Sequence, residues 1–291
     1  MTYQSVFREG LFAGHTIVVT GGGSGIGRCT AHELASLGAK VVLTGRKQEK
    51  LDAVAAEIRE DGGVAATYAF DIRDEDVVKA TVKQMLADHG PIHGLVNNAG
   101  GQFPMPLAMI GKKGWEAVVT NNLTGGFLMA REVFNQCMRK NGGAIVNMLA
   151  DMWGGMPGMG HSGAARAGMM NFTETAAIEW AASGVRVNAV APGFVASSGL
   201  DQYDPKFSSE VIPQMNGYIP LKRLCEEAEI SSAIVFLLCD AAAFITGVTI
   251  KIDGGASLNT KLFPLQGKAN NKPFNGFHRA VRPKVLDRLQ D

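Results

Sequence analysis

The residues best suited to chemistry come early in the chain. Thr20-Gly21-Gly22-Gly23-Ser24-Gly25-Ile26-Gly27 follows a β-branched run and precedes a segment of helical period that starts near Arg28. Gly21, Gly23, Gly25 and Gly27 let the backbone turn sharply, and a helix N-terminus behind such a turn offers unpaired N–H groups and a positive dipole end. With Ser24 and Ile26 among them, these residues read as a cradle for a diphosphate. The next apolar run ends at Thr44-Gly45-Arg46-Lys47, roughly 20 residues beyond the turn, where an NAD site places an acid on the ribose hydroxyls. No acid stands here, and the Arg46 guanidinium is available to a 2′-phosphate. That favours NADP(H) over NAD(H). The other reading is that Arg46 and Lys47 are only the solvated start of the next helix.

Such a cradle works only on a scaffold that fixes a turn at the end of a strand. Runs rich in β-branched residues recur at 16–20, 40–44, 65–70, 94–97, 144–148, 185–190 and 249–252. Segments 28–37, 50–59, 74–88 and 228–239 between them carry apolar residues at helical spacing, and 163–182 reads as a helix rich in Ala and Gly that permits close packing. Apolar flanks on both sides of each run suit parallel strands covered twice. The expected fold is α/β, a Rossmann-type doubly wound parallel sheet of about seven strands with helices on both faces. Residues 1–255 read as a single dinucleotide-binding domain, in which the weakly periodic stretch 194–225 is a candidate substrate loop. Residues 256–291 read as a basic extension lying on the surface or on a neighbouring subunit, with Lys261, Lys268, Lys272, Arg279, Arg282, Lys284 and Arg288 against Asp287 and Asp291.

The glycine turn, Asn97-Asn98-Ala99-Gly100, Asn122-Leu123 and Pro192-Gly193 occur in that order. Together they resemble the short-chain dehydrogenase/reductase superfamily over nearly the whole chain. The resemblance implies that Asp71 and Ile72 flank an adenine and that Asn98, Ala99 and Gly100 line the cofactor channel. It also implies that Val195 and Ser197, beyond Pro192 and Gly193, hold a nicotinamide carboxamide, and that the chain forms a homodimer or homotetramer across helix 163–182. Gly100-Gly101-Gln102-Phe103, His161-Ser162-Gly163-Ala164-Ala165-Arg166-Ala167-Gly168 and Phe244-Ile245-Thr246-Gly247 are most similar to the peroxisomal trans-2-enoyl-CoA reductase group. Dienoyl-CoA reductases are a more distant likeness.

The superfamily's Ser, Tyr and Lys positions fall on Leu149, Ser162 and Arg166. A serine hydroxyl is a far weaker acid than a phenol, whose reference pKa is about 10, so Ser162 can donate a hydrogen bond but cannot replace the tyrosine as an acid. Arg166 retains only the ribose-binding half of the lysine's role. The additional Tyr and Lys of the enoyl reductase group are Met170 and Glu174 here. Two nearby groups carry protons, His161 and Asp151, and each has a purely structural alternative. Asn122 matches the fourth polar residue of the usual site, where it shapes a helix and orders a water. Ketone reduction puts a full charge on oxygen and asks for an acid there. Conjugate reduction of an enoyl thioester spreads the charge into the thioester, and water can protonate the α-carbon. The leading expectation is therefore NADP(H)-dependent reduction of an enoyl-CoA-type thioester. The alternatives are an alcohol or ketone oxidoreductase using His161 or Asp151 as a substitute acid, and a non-catalytic NADP(H)-binding subunit or sensor.

Bulk composition agrees with a small-molecule partner. The 291 residues are 46% hydrophobic and 19% charged with a formal net charge of +1, which leaves no basic field for nucleic acid or anionic lipid. Cys29, Cys137, Cys225 and Cys239 lack metal-ligand spacing, so neither a metal site nor a disulfide framework is expected, and a reducing, cytoplasmic setting fits. No apolar run reaches the roughly 18 residues of a membrane helix. Met148, Met152, Met156, Met159, Met169, Met170 and Trp153 crowd the region after the fifth strand, suited to an acyl or terpenoid pocket or to core packing.

Overall fold

The computed structural model describes residues 2–258 and 264–287. In chain order the elements are β1 (Thr16–Thr20), α1 (Gly25–Ser36), β2 (Lys40–Gly45), α2 (Gln48–Glu60), β3 (Val64–Ala69), α3 (Glu75–His89) and β4 (Gly94–Asn97). A long helical run follows: α4 (Lys112–Val119), a π turn (Thr120–Thr124), α5 (Gly125–Val133), a second π turn (Phe134–Met138) and α6 (Arg139–Asn141). Then come β5 (Gly143–Met148), α7 (Gly160–Glu179), β6 (Val185–Pro192), the short α8 (Pro205–Glu210) and α9 (Met215–Tyr218), α10 (Glu227–Leu238), β7 (Thr249–Ile252) and α11 (Lys284–Asp287).

All seven strands pair in parallel in the order β3-β2-β1-β4-β5-β6-β7. Successive side chains of a strand point to opposite faces. Accordingly Ile17 and Val19 enter one core with Leu34, Val54 and Ile234, whereas Val18 enters the other with Val82, Leu128 and Ile145. Strands walled on both sides explain why every residue of β1 is buried and why the strand runs are continuously apolar. The chain winds outward from β1 to β3, then returns to β4 on the other side of β1. That reversal opens a crevice at the carboxyl ends of β1 and β4, the place where open α/β sheets hold ligands.

The seven expected strands are all present, with ends shifted by at most two residues. The run from Lys112 to Asn141 was not anticipated, because its two π turns each insert a residue and break the helical period. The tail packs on the body: Phe277 is buried against Tyr3, Cys29 and Ala228, and Arg279 reaches Asp61 and Glu60. Lys261, Arg288 and Asp291 lie outside the described residues.

Candidate active site

The glycine turn sits in the crevice beside β4. Thr20 ties the two strand ends together: its Oγ1 accepts from the N–H of Asn98 at 3.0 Å and of Ala99 at 2.9 Å. Asn98 Nδ2 donates back to the Thr20 and Gly21 carbonyls at 2.9 and 3.3 Å. Gly21 has φ +66°, and a Cβ there would stand 3.0 Å from the Ala99 Cα. At Gly27 a Cβ would lie 2.4 Å from the Gly21 carbonyl oxygen, so the first turn of α1 packs directly on the loop. Ser24 is extended and exposed, and its side chain makes no cap bond to α1. The leading N–H groups of α1 thus stay open to an external oxyanion, as a diphosphate requires.

One carboxyl adjoins this turn. The Glu227 Oε1 lies 3.8 Å from the Cβ position of Gly25. Burial pushes its pKa up to about 7 despite the positive charge of Arg28, so below that pH a neutral carboxyl, not a carboxylate, faces the turn.

At the end of β2, Arg46 is exposed. Asp71 is engaged by Arg73, whose Nε lies 2.9 and 3.0 Å from its two oxygens. Hydrogen bonding to Arg73 holds the Asp71 carboxyl below the usual range, helped by the charge of Arg46. Both guanidinium groups therefore share the field of one carboxylate. Ile72 is buried under Gly125 of α5.

On the far side of the crevice, the loop after β4 is pinned between the first π turn and α7. Asn122, buried in that π turn, bonds both the N–H and the carbonyl of Gly101 at 2.9 Å. Gly100 approaches so closely that a Cβ would stand 2.6 Å from Arg166 Nη2 and 3.0 Å from Asn122 Oδ1. Arg166 is buried, donates to the Met148 carbonyl at 2.5 Å, and leaves Nε without a partner. Burial lowers its pKa to about 10, so it remains a cation at neutral pH, with donors to spare for ribose hydroxyls.

Ser162 is fully buried and donates its hydroxyl to Gln102 Oε1 at 2.6 Å. The Gln102 amide in turn donates from Nε2 to the Tyr203 hydroxyl at 3.4 Å, and Gln102 itself is exposed. His161 is also fully buried. Its Nδ1 accepts from the Ser162 N–H at 2.9 Å, its ring meets Phe103 edge to face with centroids 4.6 Å apart, and its Nε2 has no partner. Asp151 stands apart, past β5, with its N–H on the Pro192 carbonyl at 2.8 Å. Burial and the charge of Asp253 raise its carboxyl pKa. Gly193 packs on Asp253, with a Cβ position 3.0 Å from its Cα. Val195 bridges to Cys225, and the Ser197 N–H closes on the Val195 carbonyl at 2.9 Å.

The structure thus gathers Gly100, Asn122, Ser162 and Arg166 around one loop, with His161 behind them and Asp151 at the next strand end. Sequence reading assigned no role to Gln102 or Glu227. Gln102 stood inside a quoted motif, but only the fold places its amide on Ser162.

An open parallel sheet with a glycine cradle at its switch point and a buried cation across the crevice defines a dinucleotide-binding oxidoreductase site. Residues 21–257 match the family model described as enoyl-(acyl carrier protein) reductase. Among curated proteins, a probable 2,4-dienoyl-CoA reductase of Bacillus subtilis is 36% identical over 246 residues, covering 84% of this chain and 96% of that one. A 3-oxoacyl-[acyl-carrier-protein] reductase of Synechocystis is 40% identical over 242 residues, covering 82% and 95%. Among solved structures, the citronellol catabolism dehydrogenase AtuB of Pseudomonas aeruginosa is 62% identical with a TM-score of 0.79, covering 88% of this chain and 100% of that one. An NAD+-bound xylitol dehydrogenase is 33% identical with a TM-score of 0.78, covering 84% and 99%. The chain belongs to the short-chain dehydrogenase/reductase superfamily, whose members use a nicotinamide cofactor. Among the described residues no helix is long and apolar enough to cross a membrane, and all four cysteines are free.

Proposed function

We propose that this chain is an NADP(H)-dependent reductase of α,β-unsaturated acyl thioesters, with branched, isoprenoid-type acyl chains as its first candidate substrates. The observation that carries the reading is the commitment of the Ser162 proton to Gln102. The tyrosine position therefore supplies no acid, whereas Gln102 adds an amide donor at the mouth. Donors without an acid suit an oxygen that bears charge briefly and is never protonated.

The cradle residues Gly21, Gly23, Ser24, Gly25, Ile26 and Gly27 would hold the diphosphate, Arg46 the 2′-phosphate, and Arg166 the nicotinamide ribose. The unbonded Ser24 side chain and the orphaned Arg166 Nε fit such a ligand. Bound there, the reduced cofactor supplies a hydride. The substrate's β-carbon gains that hydrogen, the alkene electron pair moves onto the thioester oxygen, and the α-carbon then takes a proton from water, which leaves hydroxide. The chain's part is to hold the thioester oxygen with N–H donors while its charge develops. The branched chain is suggested by the name of the relative that is 62% identical and by Met152 and Met170, which pack with Leu149 and Met169.

A second reading is ketone or alcohol oxidoreduction with Asp151 as the proton carrier, favoured by the raised pKa of its carboxyl. A panel decides between them: straight and 3-methyl-branched enoyl-CoA esters and 3-ketoacyl-CoA esters with NADPH, and an acyclic terpene alcohol with NADP+. Turnover confined to the enoyl esters is expected. Consumption of the keto esters or the alcohol alone would establish the second reading, and tight nucleotide binding without turnover would make the chain a binding subunit.

Cofactor choice has its own test. Arg46→Ala is expected to weaken NADPH binding by about 10- to 100-fold, the worth of a charge-assisted contact, and to leave NADH binding within about twofold of the wild type by fluorescence titration. An unchanged preference would remove Arg46 from the site.

A further inference from the structure

The family match ends at residue 257, yet the chain continues into a segment that packs closely on the body. One end of it is anchored on the nucleotide-binding half. Phe277 stacks on Tyr3 with centroids 5.7 Å apart and lies under the Arg28 guanidinium at 4.9 Å. The Gly276 carbonyl accepts from the Gln4 N–H at 2.8 Å. Arg279 forks onto Asp61 at 2.8 and 3.0 Å and reaches Glu60 at 2.7 Å, and its carbonyl accepts from Arg28 at 3.1 Å. The other end lies on the substrate loop. Asp201 accepts from the N–H of Lys284 at 3.2 Å and of Val285 at 3.0 Å, as an acceptor does at a helix start. Val285 and Leu286 complete an apolar cluster with Leu200, Ile212 and Met215, in which Tyr203 and Phe207 also pack. Between its two ends the segment walls a cavity of about 430 Å³ with Ala196, Arg223 and Glu227.

We propose that residues 264–287 form a strap that holds the substrate segment 198–215 against Gln102, so that the strap is part of the active site. The strap is tied at Arg279 to the end of α2 and at Lys284 and Val285 to Asp201, two residues from Tyr203, whose hydroxyl meets the Gln102 amide. Segment 198–215 carries only short helical turns, at Ser198–Gln202, in α8 and at Ile212–Gln214. Among the described residues its cluster has three buried members, Leu200, Ile212 and Met215. A segment with so few contacts of its own opens readily unless something outside it adds burial. The assignment of 198–215 to substrate rests on the oxidoreductase reading above, whereas the hold of the strap on that segment does not.

The test is hydrogen exchange on the full-length chain, comparing the wild type with Leu286→Ala, Arg279→Ala and Asp201→Ala, each checked by its melting curve. Leu286 packs directly on the 198–215 cluster and reports the strap's hold on it, whereas Arg279, bonded to Asp61, Glu60 and Arg28 at the far end, reports transmission along the strap. Exchange of the 198–215 amides is expected to quicken at least about 10-fold in Leu286→Ala and Asp201→Ala, as loss of about 1.4 kcal/mol of local stability produces. In Arg279→Ala residues 274–287 should loosen as well. The KM for the thioester that the wild type consumes should rise while NADPH affinity stays unchanged. Unaltered exchange in 198–215 for both Leu286→Ala and Arg279→Ala, in chains that remain folded, would overturn the strap. Faster exchange with an unchanged KM would overturn its place in the active site. If the wild type consumes no thioester, the functional reading fails while exchange still decides the strap.

Discussion

Gly27→Ala is expected to lower nucleotide affinity by at least about 100-fold while Gly111→Ala leaves it untouched. The added methyl at position 27 would sit 2.4 Å from the Gly21 carbonyl oxygen and 2.5 Å from Asn98 Nδ2. Neither neighbour can swing aside, because the oxygen is backbone and Asn98 is bonded to the carbonyls of Thr20 and Gly21. The turn must therefore move away from α1, and the N–H groups that converge on a diphosphate lose their common focus. Losing two charge-assisted hydrogen bonds, each worth about 1.5 to 3 kcal/mol, accounts for a change of that size. At Gly111 a Cβ meets nothing within 4 Å and φ is −71°, so it serves as a matched control. Titration calorimetry with NADP+ and NADPH gives the answer. A Gly27→Ala chain that binds within about threefold of the wild type would show that the diphosphate rests elsewhere.

That prediction concerns a part of the molecule readable from sequence, for a physical reason. A strand buried on both faces has to be a continuous apolar run, and a phosphate turn has to be glycine where backbones touch, so both leave marks on consecutive residues. The catalytic side left fewer marks. Ser162, Arg166 and Asn122 were found by position, but what Ser162 bonds depends on a loop 60 residues away. Gln102 looks like any loop glutamine until that loop is folded onto α7. The segment reads from sequence only as a basic extension on the surface or on a neighbouring subunit, because its apolar residues show little period. Its anchor, Asp61, lies 218 residues earlier in the chain, a pairing that no local pattern carries. The helical run over 112–141 was missed for a third reason, since its π turns displace the apolar face by one residue each.

Gln102 is where the mechanism is most exposed to refutation. In the wild type its Oε1 is held by Ser162, which directs Nε2 toward Tyr203 and the mouth. A carboxamide neither gains nor loses a proton near neutral pH, so it stabilises an oxygen's charge without changing its own. Removing one preorganised donor of this kind costs about 100- to 1000-fold in turnover. Gln102→Ala is therefore expected to cut kcat for enoyl thioester reduction by about 100-fold with NADPH affinity unchanged. Gln102→Glu adds a signature that mere loss of packing cannot mimic. The glutamate, with a reference pKa of about 4.3, is ionised at neutral pH and repels the charged thioester oxygen, and its protonated form donates a hydrogen bond to that oxygen. Turnover by Gln102→Glu should therefore climb as pH falls toward the carboxyl's pKa, a rise absent from the wild type. Should Gln102→Ala keep turnover within about threefold of the wild type, or Gln102→Glu follow the wild-type pH profile, the amide does not hold the reacting oxygen and another donor must.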